Sequence, residues 1–193
     1  MYIMLNYYLG YIGFEIFKKI TNIAKMTRVI YYNDFHLIPI DEKISVSSLP
    51  REDYKGIVTN FDIVIGFMEP SEYGSNDVNW IKEIGIKYYN IPVTDYTAPD
   101  IEDYKKLFKI FDEHPNKKIL IHCYAGKGRS NCGVSAYLMY KYNMSSIDAI
   151  NHVKKCNKRS SMNRWQLNSL HSLDKIINRN ITDSLTDVKC IGE

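Results

Sequence analysis

Apolar positions in the first 25 residues fall on a single helical stripe. Leu5, Leu9, Ile12, Ile16, Ile20 and Ile23 recur at spacings of three and four, with Lys18, Lys19 and Lys25 off the stripe. Asn6, Gly10, Gly13 and Glu15 interrupt the apolar run from Tyr2 to Phe17, and its start is not basic. A membrane span needs about 20 clean apolar residues, so this stretch reads as neither a span nor a signal peptide. Residues 1–27 are expected to form an added N-terminal helix, packed on the domain or pairing with a partner. Met26 is an alternative start, which would make residues 1–25 an extension.

From about residue 28 the pattern alternates between two periods. Asp62–Phe67 is a short β-branched run bounded by Asn60 and Pro70, which predicts a buried strand. Ser75–Ile84 reads as helix and Ile86–Ile91 as a second strand. Pro99 then opens a helix over Ile101–Glu113, with Tyr104, Leu107, Phe108 and Phe111 on one face. Pro115-Asn116 ends it, and Lys118–His122 is a third strand running into a Gly-containing turn. Helices follow over Ser130–Tyr142, Ser145–Cys156 with Ser145 as N-cap, and Asn163–Ile177; residues 180–193 read as a polar tail. Strands alternating with helices imply a single α/β domain over residues 28–179, a central, mostly parallel sheet flanked by helices.

Composition narrows the class without naming a function. A chain of 193 residues, 45% apolar and 24% charged, is large enough to bury a core without a metal or disulfide staple. A net charge of +3 is too mild for a dedicated nucleic-acid surface. Cys123, Cys132, Cys156 and Cys190 are too widely spaced for a zinc pattern, and read as reduced thiols in a cytoplasmic compartment. Ile, Asn, Lys and Tyr make up 77 of the 193 residues. All four have A/T-rich codons, so this bias is read as the mark of an A/T-rich viral or parasite genome and not as a binding surface.

The chemistry concentrates in residues 119–130, ILIHCYAGKGRS. An apolar strand ends at His122, Cys123 opens a loop containing Gly126 and Gly128, and Arg129 closes it where a helix begins. Consecutive backbone N–H groups at a helix N-terminus make an anion-binding nest, here from Tyr124, Ala125, Gly126, Lys127, Gly128 and Arg129. The Arg129 fork can grip two oxygens of a tetrahedral anion. Cys123 lies in the same cup, where dipole and nest favour thiolate over thiol. A thiolate under a bound phosphoryl group suits attack at phosphorus and a phosphocysteine. The leaving oxygen needs an acid, and that group must later activate water. Asp95, 28 residues before Cys123, sits on the loop after the Ile86–Ile91 strand; Asp100 is its rival and also suits an N-cap.

His122–Ser130 resembles the signature of cysteine-dependent protein tyrosine phosphatases: a His-Cys pair, five residues, Arg, then Ser or Thr. The loop Ile91-Pro92-Val93-Thr94-Asp95 and the run Ala136-Tyr137-Leu138-Met139 are similar to the dual-specificity branch. The resemblance implies Cys123 as nucleophile, Arg129 as phosphate ligand, Asp95 as acid and base, and Ser130 as donor to the departing thiolate. His122 would support the loop from behind, and no metal or cofactor would be used. Arg159, Asn163 and Trp165 keep part of a downstream motif, and Gln166 stands either as a water-orienting residue or as a plain surface Gln. Asn131 departs from the Gly that usually follows the Ser. Cys132 is either a disulfide partner for Cys123 under oxidation or a buried spectator.

The domain leaves little room for elements that deepen the cup, so a shallow cup admitting phosphotyrosine and phosphoserine/threonine proteins is expected. Lys127 is similar to a Lys of tensin-type phosphoinositide phosphatases, although Tyr124 stands where those enzymes carry a further Lys. RNA 5′-phosphatase activity and a non-catalytic, phosphate-binding pseudophosphatase are the remaining alternatives. In size and leading helix the chain resembles small poxvirus-type enzymes, which dimerise through such a helix, implying a homodimer working in host cytoplasm or virion.

Overall fold

A computed structural model describes residues 35–74 and 78–189, with side chains as far as Ile177. The N-terminal helix, the dimer expected through it and Cys190 therefore lie outside the described residues. The described elements are β1 (Leu37–Pro39), β2 (Ile44–Ser47), α1 (Lys55–Val58), β3 (Ile63–Gly66), α2 (Asn79–Glu83), β4 (Lys87–Asn90), α3 (Ile101–Glu113), β5 (Ile119–His122), α4 (Arg129–Tyr142), α5 (Ser146–Cys156) and α6 (Arg164–Lys189). Short 3-10 turns cover Glu52–Tyr54 and Pro70–Glu72.

Five strands form one sheet in the order β1-β2-β5-β3-β4. β1 runs antiparallel to β2, and every other pair is parallel. The register sets Ser47 and Gly66 on either side of His122, with Asn90 opposite Gly66, so four strands finish along one edge. In open α/β sheets this carboxyl edge is where loops converge on ligands.

Both faces of the sheet are covered, which is why the central strands β3 and β5 read as short apolar runs. Ile44, Val46, Ile63, Ile65, Ile119 and Ile121 face a large core closed by α3 to α6 through Tyr104, Leu107, Leu138, Val153 and Leu170. The alternate positions Val64 and Leu120 face a smaller cluster with Val58, Trp80, Ile81 and Ile86. α4 is buried along its run from Arg129 to Met139. It ends at Asn143, which takes the left-handed conformation with φ of 53°. Asp41, in the turn between β1 and β2, accepts the N–H groups of Lys43 and Ile44 and the hydroxyls of Tyr137 and Tyr142. Burial opposes its charge, yet these four bonds hold the carboxyl below its ordinary pKa. Among the described residues no helix is long and apolar enough to cross a membrane.

The three predicted strands and the helices after Pro99 appear, each within about two residues of expectation at its start. β1 and β2 were not foreseen. The helix expected over 75–84 is confined to Asn79–Glu83, with residues 75–77 outside the described set. α6 continues to Lys189, past the expected end at Ile177 and through much of the stretch read as a tail.

Candidate active site

Cys123 follows the last residue of β5 and Arg129 is the first of α4, so the loop between them spans the sheet's carboxyl edge and a helix N-terminus. Its carbonyls are taken from outside the loop. Leu49 N–H donates to the Tyr124 carbonyl at 3.1 Å, Ser161 N–H to that of Lys127 at 2.9 Å, and Cys132 N–H to that of Gly128 at 3.1 Å. The Gly126 carbonyl accepts from the side-chain amides of Asn131 and Asn157, each at 3.1 Å. In a planar trans peptide the N–H points opposite to the carbonyl, so the N–H groups of Ala125, Lys127, Gly128 and Arg129 turn towards the inside of the loop. Gly126 has φ of +69°, and a Cβ there would lie within 2.7–2.9 Å of the Ser47–Ser48 backbone. No residue but glycine meets both demands.

The Cys123 side chain is buried in this cup, with Sγ 3.3 Å from Ser130 Oγ in the first turn of α4. Arg129 is also buried, and its fork is heavily engaged. Nη1 and Nη2 donate to the two carboxylate oxygens of Glu72 at 2.6 and 2.8 Å, and Nη1 also donates to the Val93 carbonyl at 2.8 Å. Asp95 Oδ1 stands 3.0 Å from Nη2. Burial works against the guanidinium charge, but the Glu72 bonds and the facing Cys123 and Asp95 charges outweigh it and raise its pKa. Burial likewise opposes the Glu72 carboxylate, and the Arg129 and Glu69 N–H bonds win, holding it below its usual pKa. Glu72 had no sequence signal, since a Glu in a turn after a strand resembles any surface Glu.

Asp95 rides on the loop after β4, its side chain 56% exposed. The start of α6 and the residue before it hold that loop: Asn163 donates to the Tyr96 carbonyl at 2.7 Å and Gln166 to the Thr97 carbonyl at 2.9 Å. Tyr96 is pinned at φ of 61° with its ring exposed. Gln166 is buried, not a surface residue, and its amide would lie within 2.9–3.3 Å of a Cβ on Gly128. Asp100 is drawn away from the cup as the N-cap of α3, accepting Asp103 N–H at 2.9 Å.

His122 is fully buried behind the loop. Its Nδ1 is 3.4 Å from the Cys123 carbonyl, which can only accept, so Nδ1 carries the proton and Nε2 accepts from Tyr88 Oη at 3.0 Å. Tyr73 Oη lies 2.7 Å from that of Tyr88 and donates to Asn90. Burial drives the imidazole pKa down to about 3, so the ring is neutral. Cys123, Cys132 and Cys156 are free thiols. Burial, reinforced by the neighbouring Cys123 charge, pushes the Cys132 thiol well up, the condition of an inert spectator. Among the described residues no group of three His, Cys, Asp or Glu side chains could hold a metal ion.

The loop, Asp95 and Arg129 therefore lie together, with Ser130 and Gln166 beside them. Residues 48–176 match the family model for the dual specificity phosphatase catalytic domain. The tyrosine-protein phosphatase MSG5 of Saccharomyces cerevisiae is 29% identical over 169 residues, covering 81% of this chain and 32% of its own. Dual specificity protein phosphatase 7 of Homo sapiens is 35% identical over 79 residues, 39% of this chain and 19% of its own. The chain thus matches a third or less of the length of these relatives. The crystal structure of Tk-PTP in the active form superposes with a TM-score of 0.68 at 27% identity, covering 72% of this chain and 96% of that one. PTPMT1 in complex with PI(5)P gives 0.70 at 23% identity, with 76% and 98% covered. With most of its described length matched to that one model, the chain belongs to the dual specificity phosphatase catalytic-domain family.

Proposed function

We propose that the chain hydrolyses phosphotyrosine and phosphoserine/threonine esters of proteins through a phosphocysteine intermediate. The observation that carries this reading is the buried Cys123 thiol, 3.3 Å from Ser130, in a loop whose carbonyls are bound from outside. The inward N–H groups and Arg129 would hold the three non-bridging oxygens as Cys123 Sγ attacks phosphorus. As the P–O ester bond breaks, Asp95 would give its proton to the leaving oxygen. Asp95 would then take a proton from water attacking the phosphocysteine, and Ser130 would donate to the departing thiolate, releasing inorganic phosphate. Gln166, beside Gly128, would orient that water. Glu72 takes the end of the Arg129 fork, and Asp95 occupies an Nη2 position that an incoming phosphate would share, so substrate binding would release Asp95 towards the leaving group. A reducing compartment such as the cytoplasm would keep the free Cys123 competent.

A phosphoinositide substrate is the second reading, favoured by Lys127 in the loop and by the fold shared with PTPMT1, whose structure holds PI(5)P. A panel of phosphotyrosine and phosphothreonine peptides, phosphoinositides and 5′-triphosphate RNA separates the readings. The expected result is cleavage of both peptides, lost in Cys123→Ser and lowered roughly 10²–10⁴-fold in kcat by Asp95→Asn. Activity that survives Cys123→Ser, or that a chelator abolishes, overturns the mechanism. Phosphopeptide binding without turnover would indicate a pseudophosphatase.

A further inference from the structure

Two buried asparagines outside the signature converge on one peptide of the loop. Asn131, on the first turn of α4, and Asn157, at the C-terminal end of α5, are almost fully excluded from solvent. Both donate to the Gly126 carbonyl at 3.1 Å, and the Asn157 amide also donates to Asn131 Oδ1 at 3.1 Å. Asn157 Oδ1 in turn accepts Arg159 N–H at 3.1 Å. Burying two amides is costly unless their hydrogen bonds are made, and these bonds are made to the loop and to each other.

The peptide they hold matters because of its other end. Turning the Gly126 carbonyl outward turns the Lys127 N–H inward. Were that peptide to flip, it would point a carbonyl lone pair at the phosphate oxygens in place of a donor. Glycine, with its freedom at positive φ, is where such a flip is easiest. The other outward carbonyls of the loop are bound by backbone N–H groups, whereas that of Gly126 is bound by side chains. Ser47 and Ser48 press on Gly126 from another side.

We infer that Asn131 and Asn157 are positioning residues for catalysis: a buried amide clamp that locks the Gly126–Lys127 peptide with its N–H aimed at the bound phosphoryl group. This rests on reading the loop as a phosphate cradle. Neither side chain touches the reacting atoms; both act through the loop backbone.

The test is inorganic tungstate binding by calorimetry on the full chain, alongside steady-state kinetics on an aryl phosphate. Asn157→Leu and Asn131→Ala should each weaken tungstate about tenfold, the loss expected for a hydrogen bond to a charged group. Each should also lower kcat while raising KM, and the double variant should lose less than the product of the two, because they share an acceptor. Asn157→Asp keeps the shape and removes the donors, and it decides the matter if the Leu variant does not fold. Unchanged tungstate affinity with a lowered Tm would mean a structural role only and would overturn the clamp. If the wild type binds tungstate but hydrolyses no ester, the proposed activity fails while the variants' affinities still judge the clamp. If the wild type binds no tungstate, both fall.

Discussion

Between the Cys123 carbonyl and the Tyr88 hydroxyl, the His122 ring is fully buried. Burial lowers its pKa to about 3, whereas the unfolded chain takes up that proton near the ordinary value of 6.5. Between those two values the unfolded state binds more protons, so stability is full above pH 6.5 and is lost as pH falls. The loss from this one group is about 2 kcal/mol between pH 7 and pH 5. Glu72 and Asp41 also have lowered values, so their contributions are lost at more acid pH, below the ordinary carboxylate range. Urea unfolding at pH 7 and pH 5 should therefore show a smaller pH difference in His122→Asn than in the wild type. Asn can still donate to the Cys123 carbonyl, so the comparison isolates the titration. Equal differences in the two proteins would show that His122 titrates freely in the folded state.

The two acidic candidates for the reaction sit at opposite ends of one loop, and their elements separate their roles. Asp100 completes a reciprocal capping box with Asp103 at the start of α3. Asp95 is uncommitted to any helix and faces Arg129. Asp100→Ala should lower stability by about 1 kcal/mol and leave kcat within a few-fold of wild type. Asp95→Asn should do the reverse, and thermal melts beside kinetics on the two variants would expose an exchange of roles. The Cys123–Arg129 spacing and the Asp95 loop were legible because each depends on residue types at fixed intervals along one stretch of chain. β2 was not, since Ile44–Ser47 carries two serines and spans four residues, yet all four are buried by neighbours distant in sequence. Glu72 and Asn157 were hidden for the same reason. Glu72 reaches Arg129 across 57 residues and Asn157 reaches Gly126 across 31, and neither spacing carries a periodic signal.

At the scale of the whole domain, one sheet separates two unequal cores, and their mutual dependence can be measured. Trp80 lies in the smaller cluster against Val64 and Leu120, while Cys132 lies in the larger one. The chain's other tryptophan, Trp165, is 72% exposed beside Asn163 and Gln166, the residues that hold the Asp95 loop. Because alternate residues of the same strands line the two clusters, neither can open without exposing the backs of β3 and β5 to water. Both should therefore unfold in one transition. In a Trp165→Phe background, Trp80 emission reports the smaller core. With Cys123, Cys156 and Cys190 changed to Ser, thiol labelling of Cys132 reports the larger. The urea midpoints of the two probes should coincide; a lower midpoint for Trp80 would make the smaller cluster a separately melting layer. In the complementary Trp80→Phe protein, tungstate should shift Trp165 emission as Asp95 gives up its place on Arg129, with no matching shift of Trp80 in the first background. A response from Trp80 alone would place the oxyanion far from the carboxyl edge of the sheet.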